Sequence, residues 1–165
     1  MWAVAQLQCT IKAQCYITLV WPTIEYASSI WSPSKKDSIN KVEAVQRRAA
    51  RLATGDYQHT SSVIAMLQQV HWQTLQSRQT YAQTVMMYRI VYNLVDIPAE
   101  HHLNRTSLRT RGHSLRFLVP HTRATVYRTL FFPQAIHLCN QLPGSVVETD
   151  TLDSFKIQLS RATII

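Results

Sequence analysis

A chain of 165 residues holds one domain or two small subdomains around one core, and a hydrophobic content of 46% is enough to fill that core. Three glycines, six prolines and the absence of any repeat or low-complexity run exclude a solenoid and a disordered tail. Seventeen Lys and Arg against nine Asp and Glu leave a net charge of +8, which favours polyanionic partners, nucleic acid before an anionic membrane surface, unless the protein is simply cationic.

From the amino terminus, residues 3–20 place Val4, Leu7, Ile11, Cys15 and Leu19 about one helical turn apart, and Trp21-Pro22 is expected to close that helix. Residues 22–33 are short, aromatic and Ser-rich and read as a packed connection. Ser34 and Asp37 then outline a capping box for a helix running to Thr54. Its stripe of Ile39, Val42, Val45, Ala49 and Leu52 is expected to face the core, with Lys36, Lys41, Arg47, Arg48 and Arg51 over the rest and Gly55 as the left-handed residue after it. Thr60, Ser61 and Ser62 offer an N-cap for a short helix to about Gln69. Trp72–Leu94 reads as a long helix stopped by Pro98. Residues 99–130 lose the helical period and read as an irregular basic arm, with short strands near Leu115–Val119 and Thr125–Leu130. Pro133 opens a short helix to about Gln141, Leu142-Pro143-Gly144 turns the chain, and Asp150 with Asp153 caps a last helix carrying Leu152, Phe155 and Leu159.

Charge is spread unevenly over these elements. Residues 98–137 hold six basic residues against one acidic, and residues 1–57 hold seven against four. The arm, with Arg105, Arg109, Arg111, Arg116, Arg123 and Arg128, is therefore the strongest local anomaly. Arginine forks two donors onto a phosphate, and Phe117 and Tyr127 lie among the arm's arginines as candidate stacking or anchoring rings. A helix face rich in Lys and Arg can equally be no more than a solvated surface.

Little in the chain points to catalysis. Two-metal phosphoryl or nucleotidyl transfer needs converging carboxylates, yet the only acidic cluster, Glu148, Asp150 and Asp153, suits the positive end of a helix. Three glycines make no phosphate loop. Residue types alone leave a Ser-His-Asp or Cys-His arrangement open, but no serine sits in a glycine-flanked elbow. His137 and Cys139, two residues apart, suit a metal on a strand and are awkward on a helix. His101, His102 and His113 have no ligand spacing, so neither metal nor cofactor is expected. Cys9, Cys15 and Cys139 form no disulfide framework. With no signal-peptide pattern and no apolar run of membrane-spanning length, the expected location is intracellular, in nucleus or cytoplasm, without a membrane partner and not secreted.

A series of blocks in the chain resembles a known family. Cys15-Tyr16-Ile17-Thr18-Leu19-Val20-Trp21-Pro22, Glu25-Tyr26-Ala27-Ser28 with Trp31, and Val42-Glu43-Ala44-Val45-Gln46-Arg47-Arg48-Ala49-Ala50-Arg51 come first. Met87-Tyr88-Arg89-Ile90, Arg109-Thr110-Arg111-Gly112-His113-Ser114, Phe131-Phe132-Pro133, Asn140-Gln141-Leu142-Pro143 and Leu152-Asp153-Ser154-Phe155-Lys156 follow. In this order, from about Cys9 to Leu159, they resemble the stretch after the catalytic palm in non-LTR retrotransposon reverse transcriptases of the jockey and CR1 type. Two positions depart from the family's pattern. Trp21 stands where a basic residue often precedes the proline, and Cys139 where a tryptophan commonly precedes the asparagine.

The resemblance implies a mainly α fold: a thumb-like helical region over residues 1–97, and a basic arm with short carboxy-terminal helices over 98–165 packed on it. It further implies a carboxy-terminal fragment of an RNA-directed DNA polymerase, inert alone because the palm's aromatic-x-Asp-Asp motif and the preceding endonuclease are not in the chain. The thumb of such a polymerase grips the template–primer duplex. The expected partners are therefore RNA or RNA–DNA duplex, with a palm supplied by the parent protein. The residues expected to meet phosphate are Lys35, Lys36, Lys41, Arg47, Arg48 and Arg51 on the helix, and Arg109, Arg111, Arg116, Arg123 and Arg128 in the arm. The rival readings are a helical protein-interaction module and a functionless relic of a decayed element.

Overall fold

In a computed structural model the backbone is described for residues 2–26, 28, 36–106, 115–121 and 125–162, and the side chains for the same residues except 2–7 and 125–126. The protein is mainly α, and among the described residues there is no strand, only one isolated antiparallel bridge between Arg105 and Phe117. It divides into two compact units, Met1–Ala27 with Pro33–Ser77, and Ser28–Ser32 with Arg78–Ile165. The boundary expected at 97/98 falls inside the second unit. The division lies within one helix because the apolar residues of that helix from Tyr81 onward belong to the carboxy-terminal core.

The first unit opens with α1 (Trp2–Cys15), a wider turn over Tyr16–Val20, and α2 (Trp21–Glu25). Pro22 does not close this helix as expected. A proline has no N–H to donate and its ring crowds the carbonyl four residues back. The chain meets both demands by widening the turn just before it, with the Trp21 N–H reaching back five residues to Tyr16 O, so that Pro22 sits in the first turn of α2. Trp21 Nε1 donates to the Glu25 carboxylate one turn on. The widened turn sends Tyr16 into the core, where its ring lies 4.6 Å from that of Trp72.

Next come α3 (Lys36–Thr54) and α4 (Val63–Gln69). Tyr16, Ala50, Ala53, Met66, Leu67 and Trp72 form the buried centre of the unit. Gly55 follows α3 at φ 73° and returns its N–H to Arg51 O, as expected. Ser62 caps α4 by accepting from the Ala65 N–H. The end of α4 is a left-handed turn at His71 (φ 56°): the Trp72 N–H bonds Leu67 O at 2.8 Å and the His71 N–H bonds Gln68 O. Trp72 thus packs back beside Leu67 rather than starting the next helix, which corrects the expected Trp72–Leu94 helix at its start.

That helix, α5, runs Leu75–Val91 and ends the same way, with Asn93 at φ 54° and the Leu94 N–H on Arg89 O. Its end is therefore set by a left-handed cap before Pro98 is reached. In the second unit α5 is joined by α6 (Thr125–Arg128), α7 (Phe131–Gln141), α8 (Gly144–Val147) and α9 (Leu152–Arg161). Val85 and Tyr88 turn toward Leu142, Val146, Phe155 and Leu159, while Met87 packs with Phe117, Ala135, Ile136 and Cys139. Tyr88 is stacked between Tyr92 and Phe155, each 4.3 Å away, and its hydroxyl donates to Thr149 O.

Three expectations for this unit need correction. Thr125–Arg128 is a helical turn, not part of a strand. Among the described residues the 115–118 segment forms no strand and meets 104–106 through Thr106 N–H to Arg116 O and Leu118 N–H to Asn104 O. The cap of α9 is Thr151, whose hydroxyl accepts from the Ser154 N–H, and not Asp150, which lies one residue too early to reach the first turn.

Candidate nucleic-acid interface

Five of the cations singled out in the sequence stand on α3. The helix buries Gln46, Ala50 and Ala53, with Val42 and Ala49 half-buried beside them. At about 100° per residue this face is rotated by roughly 60° from the stripe of larger apolar residues expected to be inside. Alanines let the backbone of α3 come close to its neighbours, and Gln46 is buried at no loss because its side-chain amide donates to Gln73 O at 2.7 Å. As a result Ile39, Val45 and Leu52 lie at the surface.

The same rotation sets out the cations. Lys36, Arg47, Arg51, Arg48 and Lys41 fall within an arc of about 140° on the outer side of the helix. Lys36, Lys41, Arg47 and Arg48 are exposed and Arg51 is half-buried. Two of the arginines use part of their donor set internally: Arg47 Nη2 on Asn40 O at 3.3 Å, and Arg51 Nη1 on Gln58 O at 2.7 Å. Lys36, Lys41 and Arg48 make no hydrogen bond or ion pair among the described residues. Their charge is directed to solvent.

Arg51 also holds the loop after α3. The Asp56 carboxylate accepts from the Gln58 N–H, and Asp56 N–H in turn meets the Thr54 hydroxyl. The Ser61 hydroxyl, then the Gln58 N–H, with a smaller contribution from the charge of Arg51, hold the Asp56 carboxyl below the ordinary carboxylate range against a modest cost of burial. The spacing Arg51, Asp56, Gln58, Ser61 carries no recognisable sequence pattern, because the turn closes through backbone groups.

The arm is a different case. Arg109, Arg111 and Arg123, like Lys35 and the expected capping residue Ser34, lie outside the described residues. Arg116 is half-buried, its Nη2 reaches Asn140 O at 3.4 Å, and its Nε is buried without a partner. Part of its donor set is thus used internally. Asn140 clamps the same segment: its Oδ1 accepts from the Phe117 N–H at 3.0 Å and its Nδ2 donates to Phe117 O at 2.8 Å. Arg128 is exposed at the end of α6 and borders a cleft with His121 and His137.

Among the described residues no three His, Cys, Asp or Glu side chains come together as a metal would require. His137 is exposed while Cys139 is buried in the core, the divergence that two residues' spacing produces on a helix. Burial pushes the Cys139 thiol up to about 12, far from a reactive thiolate. Among the described residues no helix is long and apolar enough to cross a membrane. The chain matches no family model, no curated protein and no solved structure.

Proposed function

We propose that the chain is a thumb-like, post-palm piece of a non-LTR retrotransposon RNA-directed DNA polymerase that, inert by itself, binds RNA or RNA–DNA duplex in the nucleus or cytoplasm through the outer face of α3. The observation that carries this reading is the arc of Lys36, Lys41, Arg47, Arg48 and Arg51, three of which have no partner among the described residues. The ordered blocks that resemble the family, α3 among them, support the ancestry. Neutralising phosphates releases condensed counterions, so binding on this reading is salt-dependent and nearly blind to sequence. The test is duplex affinity across a range of salt. Replacing Arg47, Arg48 and Arg51 together by alanine should flatten the slope of log affinity against log salt by up to about three units.

One observation favours a second reading, a protein-interaction module. Along one seam of α3, cations and exposed apolar residues alternate as Lys41, Val45, Arg48 and Leu52 at steps of four, three and four. Such a seam fits an amphipathic acidic helix. On that reading Val45→Asp abolishes partner binding and leaves duplex binding weakened only as much as one added negative charge requires.

A further inference from the structure

We propose that the cleft beside the first turns of α7 is a binding site for a single nucleotide unit, with an apolar floor for the base and a cationic rim for the phosphate. The cleft measures about 490 Å³, within the range of roughly 300–1,000 Å³ usual for small-molecule sites. Its floor is Val119, Pro120 and Pro133, of which Pro133 is buried and Pro120 half-buried. Proline rings offer flat apolar surface and lose little side-chain freedom when covered.

The remaining lining groups are His121, Arg128, Gln134 and His137, so among the described residues no carboxylate borders the cleft. Gln134 turns its carbonyl oxygen to Gln83, which leaves its amide N–H groups as donors. Gln141 Nε2 lies 2.9 Å from His137 Nε2, so one ring nitrogen of His137 is engaged along its own helix. The rim thus offers the Gln134 amide as a donor and one fixed positive charge at Arg128, which suits an anion. A larger cleft in the same unit, below the end of α5, makes the contrast. Asp96 and Glu100 line it together with Arg105, and its mixed charge selects no anion. The wall of the nucleotide cleft is anchored, since Val119 follows Phe117 and Leu118, which are tied to Asn140 and Asn104. A preformed wall lowers the ordering cost of binding.

This inference does not depend on duplex binding by α3, and its test keeps the two apart. With the full chain, calorimetric titrations of AMP, adenosine and inorganic phosphate should find AMP bound at least about tenfold more tightly than either part, the worth of one charge-assisted hydrogen bond. Arg128→Ala and His121→Ala, both at exposed positions, should each weaken AMP by about tenfold and leave adenosine unchanged. Replacing Arg47, Arg48 and Arg51 should leave AMP binding as it is. A 5′-phosphorylated dinucleotide distinguishes the source: affinity at or above that of AMP assigns the cleft to a strand end, and lower affinity assigns it to the free nucleotide. Equal affinity for AMP and adenosine would overturn the proposal. So would unchanged AMP binding in both rim variants, or loss of AMP binding in the α3 variant.

Discussion

Asn140 holds the arm as a neighbouring strand would, giving and taking one hydrogen bond with the backbone of Phe117. Nothing in its spacing announces this. The sequence shows Asn140 only within a block resembling a family, and the clamp depends on residues 23 positions apart meeting in space. Asn140→Ala leaves a buried N–H and C=O unmet and should cost about 1–3 kcal/mol in urea unfolding. Asn140→Asp keeps the acceptor but turns a second oxygen on Phe117 O, and should be no better. Its neighbour Cys139 supplies a pH test. With the folded thiol pushed up to about 12, the neutral form belongs to the folded state. Its contribution is therefore complete below pH about 9 and is lost as pH rises toward 12. Unfolding free energy measured between pH 9 and 11 should fall more steeply for wild type than for Cys139→Val. At pH 8 iodoacetamide should label exposed Cys15 in the folded protein and leave Cys139 until urea is added.

At the scale of elements, the helices legible in the sequence are those whose signals are local: α3 with Gly55 after it, α4 with Ser62 before it, α7 to Gln141 and α9 with its three apolar residues. The sequence misleads where a rule admits more than one outcome. Pro22 reads as a stop, yet a widened turn before it lets a helix continue. Asp150 competes with Thr151 for one cap. The stripe of large apolar residues on α3 points to one buried face, whereas close packing selects Ala50 and Ala53, and periodicity cannot separate faces only about 60° apart. That correction is measurable. Ala50→Leu should overpack the unit and cost about 1–3 kcal/mol. Leu52→Gln, at a surface position, should stay within about 0.5 kcal/mol. The reverse order would restore the expected stripe. His71, a non-glycine residue at φ 56°, gives a further check: His71→Gly should raise stability by about 0.5–1 kcal/mol by relieving the left-handed strain.

At the scale of the whole molecule, two small units carry a surplus of eight positive charges and helices dominate both. The net charge is plain in the composition, but its division between cations free to face a ligand and cations used in packing is not. Arg116 sits among arginines in the sequence and so reads as a phosphate contact, while in the fold it is bonded to Asn140 O. Primer extension with Mg²⁺ or Mn²⁺ and the purified chain should show no activity above a mock preparation, because no carboxylate pair of the polymerase kind occurs in the sequence. The proposed duplex binding rests on the placement of charge on α3, beyond its amount. It is tested most directly by comparing the wild type with a variant of equal net charge in which Arg47, Arg48 and Arg51 are replaced by alanine and three arginines are introduced at exposed positions of α9. Affinity for an RNA–DNA duplex and its salt slope should both fall in the relocated variant. Equal affinity and equal slope in the two proteins would contradict a duplex-binding face on α3.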